Sequence, residues 1–473
     1  MALPKYLQSS LLVLGGVAAG VSVMMFMQPA QQATTPPRGT AAGENAASIS
    51  TDAALTESDP LSVLSRAIST ADRDTRAETL RALAVRLVGE DVKKALALAA
   101  KIPDVDDKLE FLRALFGAWA ARDPKAAMEY AKTNFTAGLQ QSESLVAAVE
   151  KWGAANPRDA WLWVDANLSG PLKEEATTSL VQGWARTDPE AAAGWFISTG
   201  STSQSMLDAL LTTWTGLRPR DAAAWVESLT NPANKETGRV LVASEWARQN
   251  PAEAAAYFTP MMTGKAAIDL GSALVNSWAA NDPASTATWV AKLPAGEART
   301  NAAGTLATVW AASDISAAVK WSETIEDPEM HNGIIDHLGT TWGAIEPVKA
   351  LSWIATLPTG EARTEATKGA LNSWAGTNPD TMKTWLATQP PGPIADEARV
   401  SLAAVYSDSD RAESMRQSLA ITDATARGDA ASKFFRNWRK TDDASAQKWL
   451  QAEWPRLSPD VQARLEKEQK RKY

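Results

Sequence analysis

Apolar residues along this chain fall at helical spacing, and the pattern itself recurs. Ala350, Trp353, Ile354 and Leu357 stand at i, i+3, i+4 and i+7, which is one face of a helix. Ala302, Ala303, Leu306, Val309 and Trp310 form a broader stripe, as expected of a helix buried between two neighbours. No segment sustains the alternation of a strand. An aromatic residue marks each return of the pattern, about every 32 residues: Trp119, Trp152, Trp184, Trp214, Trp246, Trp278, Trp310, Trp342, Trp374, Tyr406 and Trp438. A second aromatic follows eleven residues after almost every one: Tyr130, Trp163, Trp195, Trp225, Tyr257, Trp289, Trp321, Trp353, Trp385 and Trp449, with Gln417 the exception. A fixed period of this size predicts a repeat array, each unit burying its apolar face against its neighbours. Recurrence at one place in every unit predicts that both aromatic series are core positions.

Residues 278–310 show one repeat. Asp282-Pro283 reads as a helix start, the Asp capping free backbone N–H groups and the proline suiting the first turn. The first helix is expected to run to about Lys292, and Leu293-Pro294-Ala295-Gly296 to break it. Glu297 then opens the second helix, where a carboxylate favours the dipole. The Asp/Asn-Pro pair recurs at Asp59, Asp123, Asn156, Asp188, Asn250 and Asn378. The predicted fold is therefore all-α: an α-solenoid of about thirteen two-helix repeats of period 32 over residues 59–473, preceded by one transmembrane helix. Its first two hairpins lack the tryptophans, as terminal units often do, and its charged last helix, residues 459–470, suits a solvated cap.

The transmembrane expectation rests on residues 11–27, almost wholly apolar, within an uncharged stretch from Leu7 to Pro37. Residues 1–30 read as an anchor or signal segment. Lys5 precedes it, so the N-terminus is expected in the cytoplasm, with the bulk of the chain in the periplasm or exterior. Cleavage, which would release a periplasmic or secreted protein, is the alternative; Ala30 and Ala33 offer poor sites, with Gln28 and Gln31 at −3. Gly16 and Gly20 make a GxxxG pair suited to self-association of anchors. Residues 31–58, rich in Ala, Thr, Ser, Gly and Pro, read as a flexible linker.

Two antiparallel helices per unit make the chain similar to the α-solenoid class that includes tetratricopeptide and Sel1-like repeats. Its own motifs, W-A-x-x-[DN]-P-x-x-A-A-x-W and the L-P-x-G-E-A-R of residues 293–299 and 357–363, depart from the tetratricopeptide pattern in period and in aromatic spacing. They resemble uncharacterised Trp/Ala-rich repeat proteins of bacterial envelopes. The resemblance implies a binding scaffold and carries over no catalytic residue.

Composition narrows the chemistry. The net charge is −8 with no long basic run before the last residues, which argues against nucleic acid as a partner. No cysteine is present, so disulfides, thiolate catalysis and Cys-based zinc sites are excluded. His331 and His337, six apart, point roughly opposite ways on a helix and make a poor metal pair with Glu329 or Asp336. No phosphate-loop or dinucleotide fingerprint appears. No cofactor, metal or catalytic residue is assigned, and the chain is not expected to be an enzyme. Candidate surface contacts are Trp161 and Trp454, which fall outside both series, Met261 and Met262 at a helix end, and the equivalently placed Arg299 and Arg363. The expected function is a membrane-anchored extracytoplasmic scaffold binding protein or peptide partners of the envelope. A glycan-binding solenoid and a carboxylate-based enzyme or enzyme inhibitor are the alternatives.

Overall fold

The computed structural model describes residues 59–262 and 266–470. The expected membrane segment with Gly16 and Gly20, and the linker, lie outside the described residues. Among the described residues all regular structure is helical, with 25 α-helices, two short 3-10 turns and no strand. None of these helices is long and apolar enough to cross a membrane. The helix Glu297–Ser322 is broken at Asp314 (φ −148°, ψ 90°) and is two helices end to end. Taken in order, the helices then pair into thirteen hairpins, each a short helix followed by a longer one except in the last, where both have 11 residues. Pro157–Asn167 with Gly170–Ala185, and Pro347–Ile354 with Glu361–Thr377, are examples. The arrangement is that expected of an α-solenoid.

The junction between hairpins is one to three residues long. In W-A-x-x-[DN]-P the Asx residue closes one helix and opens the next. Its backbone N–H donates to the tryptophan carbonyl four residues earlier, as Asn156 does to Trp152 (2.7 Å) and Asn378 to Trp374 (2.8 Å). Its side chain accepts from the backbone N–H three residues later, as Asn156 does from Asp159 and Asp282 from Ser285 (3.0 Å). Both bonds are made at one extended conformation, φ near −145° and ψ near 80° at Asn250. Orphan groups of two helix ends are thus satisfied by one residue, and proline at N1 sacrifices no bond. Arg218 and Glu346 take the same backbone turn without a side-chain cap. At Asp314 the side chain caps Ala317 in the same way, with Ile315 in place of the proline, as Arg411 and Asp443 stand at two other junctions.

Each short helix packs on the long helix before it and the long helix after it, while consecutive long helices pack directly on each other. Small residues set how closely the long helices approach. A Cβ on Gly153 would lie 2.7 Å from the Leu180 carbonyl oxygen, and one on Gly339 2.8 Å from that of Ala366. Gly183 and Gly343 face the backbone of Glu150 and Ala370 more closely still. Leucines and alanines fill the seam between layers, with Leu145, Leu180, Leu211, Leu274, Leu306, Leu338 and Leu371 all buried. The core is thus a strip running along the array, each segment shared by adjacent repeats.

Candidate functional site

The two aromatic series have different fates. Trp152, Trp214, Trp246, Trp278, Trp374 and Trp438 of the first series are buried, and Trp119, Trp184, Trp310 and Trp342 are half-buried. The second series lies on the short helices and is half-buried throughout, from Tyr130 to Trp449. The expectation of core packing therefore holds for the six buried tryptophans, while the rest of the first series, Tyr406 included, and all of the second keep part of each ring at the surface. The eleven-residue spacing is explained by the junction: four residues reach the capping Asx, and seven more make two turns of the short helix. That returns the second ring to the first, with centroids 5.7 Å apart for Trp214–Trp225, 5.6 Å for Trp342–Trp353 and 5.1 Å for Trp374–Trp385. These tilted pairs are favourable ring geometries. Leu162, Ile197 and Val348, also on short helices, are exposed.

Side chains bridge several of the gaps between successive short helices. Trp163 Nε1 donates to Glu129 Oε1 (2.9 Å), and Lys132 Nζ to Asn167 Oδ1 (2.8 Å). Trp161 packs edge-on against Trp195 at 5.2 Å, with Lys173 Nζ 5.7 Å from its ring centroid. Arg220 pairs with Glu253 at 2.6 Å, and Trp289 Nε1 donates to Thr259 at 3.0 Å. Between Val92–Ala99 and Pro124–Asn134 a surface depression stays largely open to solvent, lined by Val92, Lys93, Leu96, Trp119, Glu129 and Tyr130.

The long helices carry polar side chains that join one repeat to the next. Arg113 grips Glu143 through two bonds of 2.7 and 2.8 Å, which holds the Glu143 carboxyl below its ordinary range. Ser272 donates to Asn301 (3.0 Å) and Ser401 to Asn372 (2.7 Å). His337 Nδ1 meets the Thr308 hydroxyl at 3.1 Å, and its ring fills the space over Gly304. Burial pushes His337 down and Asp336 up; Asp336 opposes the first shift, His337 opposes the second, and the charge on Glu365 adds to it. Burial likewise raises Glu397, and Glu175 is raised by burial and by Glu143. Among the described residues no three His, Asp or Glu side chains come together as a metal site would need.

The six residues singled out from sequence do not form one site. Trp161 is half-buried in the contact with Trp195 described above. Trp454 opens the 3-10 turn Trp454–Arg456 and packs on the C-terminal core. Met261 and Met262 are half-buried; Met261 borders a cavity with Arg239 and Asp269, and Met262 packs on two segments of core. Arg299 pairs with Asp327, the N-cap of the next long helix. Arg363 instead donates to the Leu357 carbonyl at 3.2 Å. Two further arginines belong with them. Arg76 and Arg427 each donate to the carbonyl six residues back, of Thr70 and Ile421, and pair with Asp107 and Asp460 of the next long helix at 3.0 Å. Their position in the first turn of a long helix is the signal that finds them; neither lies in an L-P-x-G-E-A-R motif. No protein-family model and no curated protein matches this chain.

Proposed function

We propose that this protein is a scaffold that binds protein or peptide partners along the short-helix layer, held at the outer side of a membrane by its N-terminal segment. The single observation that carries the reading is the second aromatic series: a half-buried ring at the same place in repeat after repeat, from Tyr130 to Trp449. Rings fixed on one side by first-series tryptophans and open on the other offer preorganised contact area at low entropic cost. Exposed Leu162, Ile197 and Val348 add apolar surface to the same layer. On the long helices, Arg113 with Glu143, Ser272 with Asn301 and Ser401 with Asn372 tie repeats together. The membrane tether rests on the apolar run of residues 11–27.

The test is in-cell crosslinking and capture with the full-length protein and with a version lacking residues 1–58. The expected result is a small reproducible set of envelope proteins, reduced when the tether is removed. Recovery of self-crosslinks alone would contradict the scaffold. The half-exposed indoles also keep glycan binding as a second reading. Oligosaccharide that shields these indoles from acrylamide quenching, with no protein partner captured, would favour it.

A further inference from the structure

We infer that the seam between the helix Glu297–Ser322, ahead of its break at Asp314, and the next long helix, Pro328–Ile345, is a pH-sensitive joint that opens when the His337 ring takes up a proton. Only two histidines occur in the 473 residues, and both stand on Pro328–Ile345. They do different work. His331 Nδ1 lies 3.0 Å from the Ser322 carbonyl, within its own hairpin, and donates to it. A charged ring donates there as well as a neutral one. His337 instead spans the boundary between repeats, with Nδ1 3.1 Å from Thr308 Oγ1. The Thr308 hydroxyl donates to the Gly304 carbonyl (3.1 Å), so it accepts from His337 and sets the proton of the neutral ring on Nδ1. Nε2 is left bare and makes no hydrogen bond among the described residues. Its edge of the ring lies over Gly304, where a Cβ would stand 2.6 Å from it. A proton there puts a charge and an unpaired donor against the backbone of the preceding helix. At the same place in neighbouring repeats stand Ala273, Thr305 and Gly369, none of which can change charge.

The surrounding charges are turned elsewhere. Burial disfavours the charged ring, and the one charge acting against that is Asp336. Asp336 faces the following helix, Glu361–Thr377, its Oδ1 3.5 Å from where a Cβ on Gly369 would lie. In that helix Glu365 acts on Asp336 and is itself paired with Lys368 at 2.8 Å. On the preceding helix Arg299 pairs with Asp327, and in Pro347–Ile354 Lys349 pairs with Glu346 at 2.6 Å. Each interface of a repeat array contributes its own term, so loss of this one loosens a single joint and leaves the repeats on either side folded. An open joint returns His337 to water and to its ordinary 6.5. Opening is therefore favoured as pH falls below that value, by up to about tenfold per pH unit. The joint needs no partner to move, so it stands apart from the scaffold reading.

The chain has no cysteine, so two introduced ones carry the only spin labels. Asn276→Cys with Thr377→Cys spans the joint, and Thr212→Cys with Asn276→Cys lies wholly before it; all three positions are exposed on long helices. Distances are measured by double electron–electron resonance on the full-length protein from about pH 7.5 to about pH 5. The expected result is a second distance for the spanning pair, growing reversibly as pH falls, with the other pair unchanged. His337→Gln, which stays neutral and can still donate to Thr308, is expected to abolish the second distance, and His331→Gln to keep it. Helicity is checked for each protein at each pH. If His337→Gln fails to fold, His331→Gln decides, since His337 is then the only histidine left. A spanning pair that does not respond, equal responses in both pairs, persistence in folded His337→Gln or loss in folded His331→Gln each overturns the joint. So does a response confined to pH below about 4.5, where carboxylates titrate.

Discussion

Single side chains in this array act across repeat boundaries, and that makes their removal costly. Asp396 is buried, and burial pushes its carboxyl up, yet bonds from the Thr422 N–H (2.8 Å), the Thr422 hydroxyl (2.7 Å) and the Asp423 N–H (3.0 Å) together hold it below its ordinary value. Asp396→Ala strands these donors, and a loss of about 2–4 kcal/mol is expected in urea denaturation. His337 gives a pH signature. Its folded state favours the neutral ring, so the unfolded chain takes up a proton first as pH falls through the ordinary value of 6.5. Stability from this group is therefore present above that pH and lost below it. Asp336 has the opposite sign, since a raised carboxyl favours the fold on acidification above its ordinary 3.8. Melting between pH 7 and 5 is expected to fall more steeply for the wild type than for His337→Gln. Parallel slopes would remove His337 from the account.

Between neighbouring long helices the decisive feature is the absence of a side chain. Gly343→Ala places a methyl against the Ala370 backbone, and Gly183→Ala against that of Glu150, where nothing flexible can move aside. Each is expected to destabilise by about 1–3 kcal/mol, as overpacking does. Gly89→Ala meets nothing within 4 Å and is expected to be neutral or to stabilise by up to about 1 kcal/mol. Thermal melts of the three variants check this contrast. Helix starts were legible in the sequence because Asp-Pro and Asn-Pro are local signals, and the count of hairpins followed from the aromatic period. The glycine seam was not, since Gly183 meets Glu150 only once two helices thirty-odd residues apart are packed. Exposure of the second aromatic series was equally hidden: a half-buried ring and a buried one leave the same mark in a periodic pattern.

Along the whole array, stability is expected to be a sum of repeat and neighbour terms rather than a single all-or-none quantity. The last hairpin, Asp443–Glu453 with Pro459–Gln469, covers Phe434 and Phe435 through Leu450, Val461 and Leu465. Removing residues 443–473 is expected to raise hydrogen exchange in the Ala424–Thr441 helix and its short partner Arg411–Leu419, leaving Leu139–Ala155 unchanged. Loss of protection throughout would contradict a modular array. The same modularity gives the molecule one recurring surface, the row of half-buried rings on its short helices. The most direct measurement is site-specific photocrosslinking in cells, with the probe placed in turn at Leu162, Ile197 and Val348 on short helices and at Lys151, Asp208 and Thr340 on long ones, all exposed positions. Partner crosslinks concentrated at the first three are the expected result. Crosslinks confined to the long-helix positions, or equal at both, would contradict a binding surface built from the aromatic row.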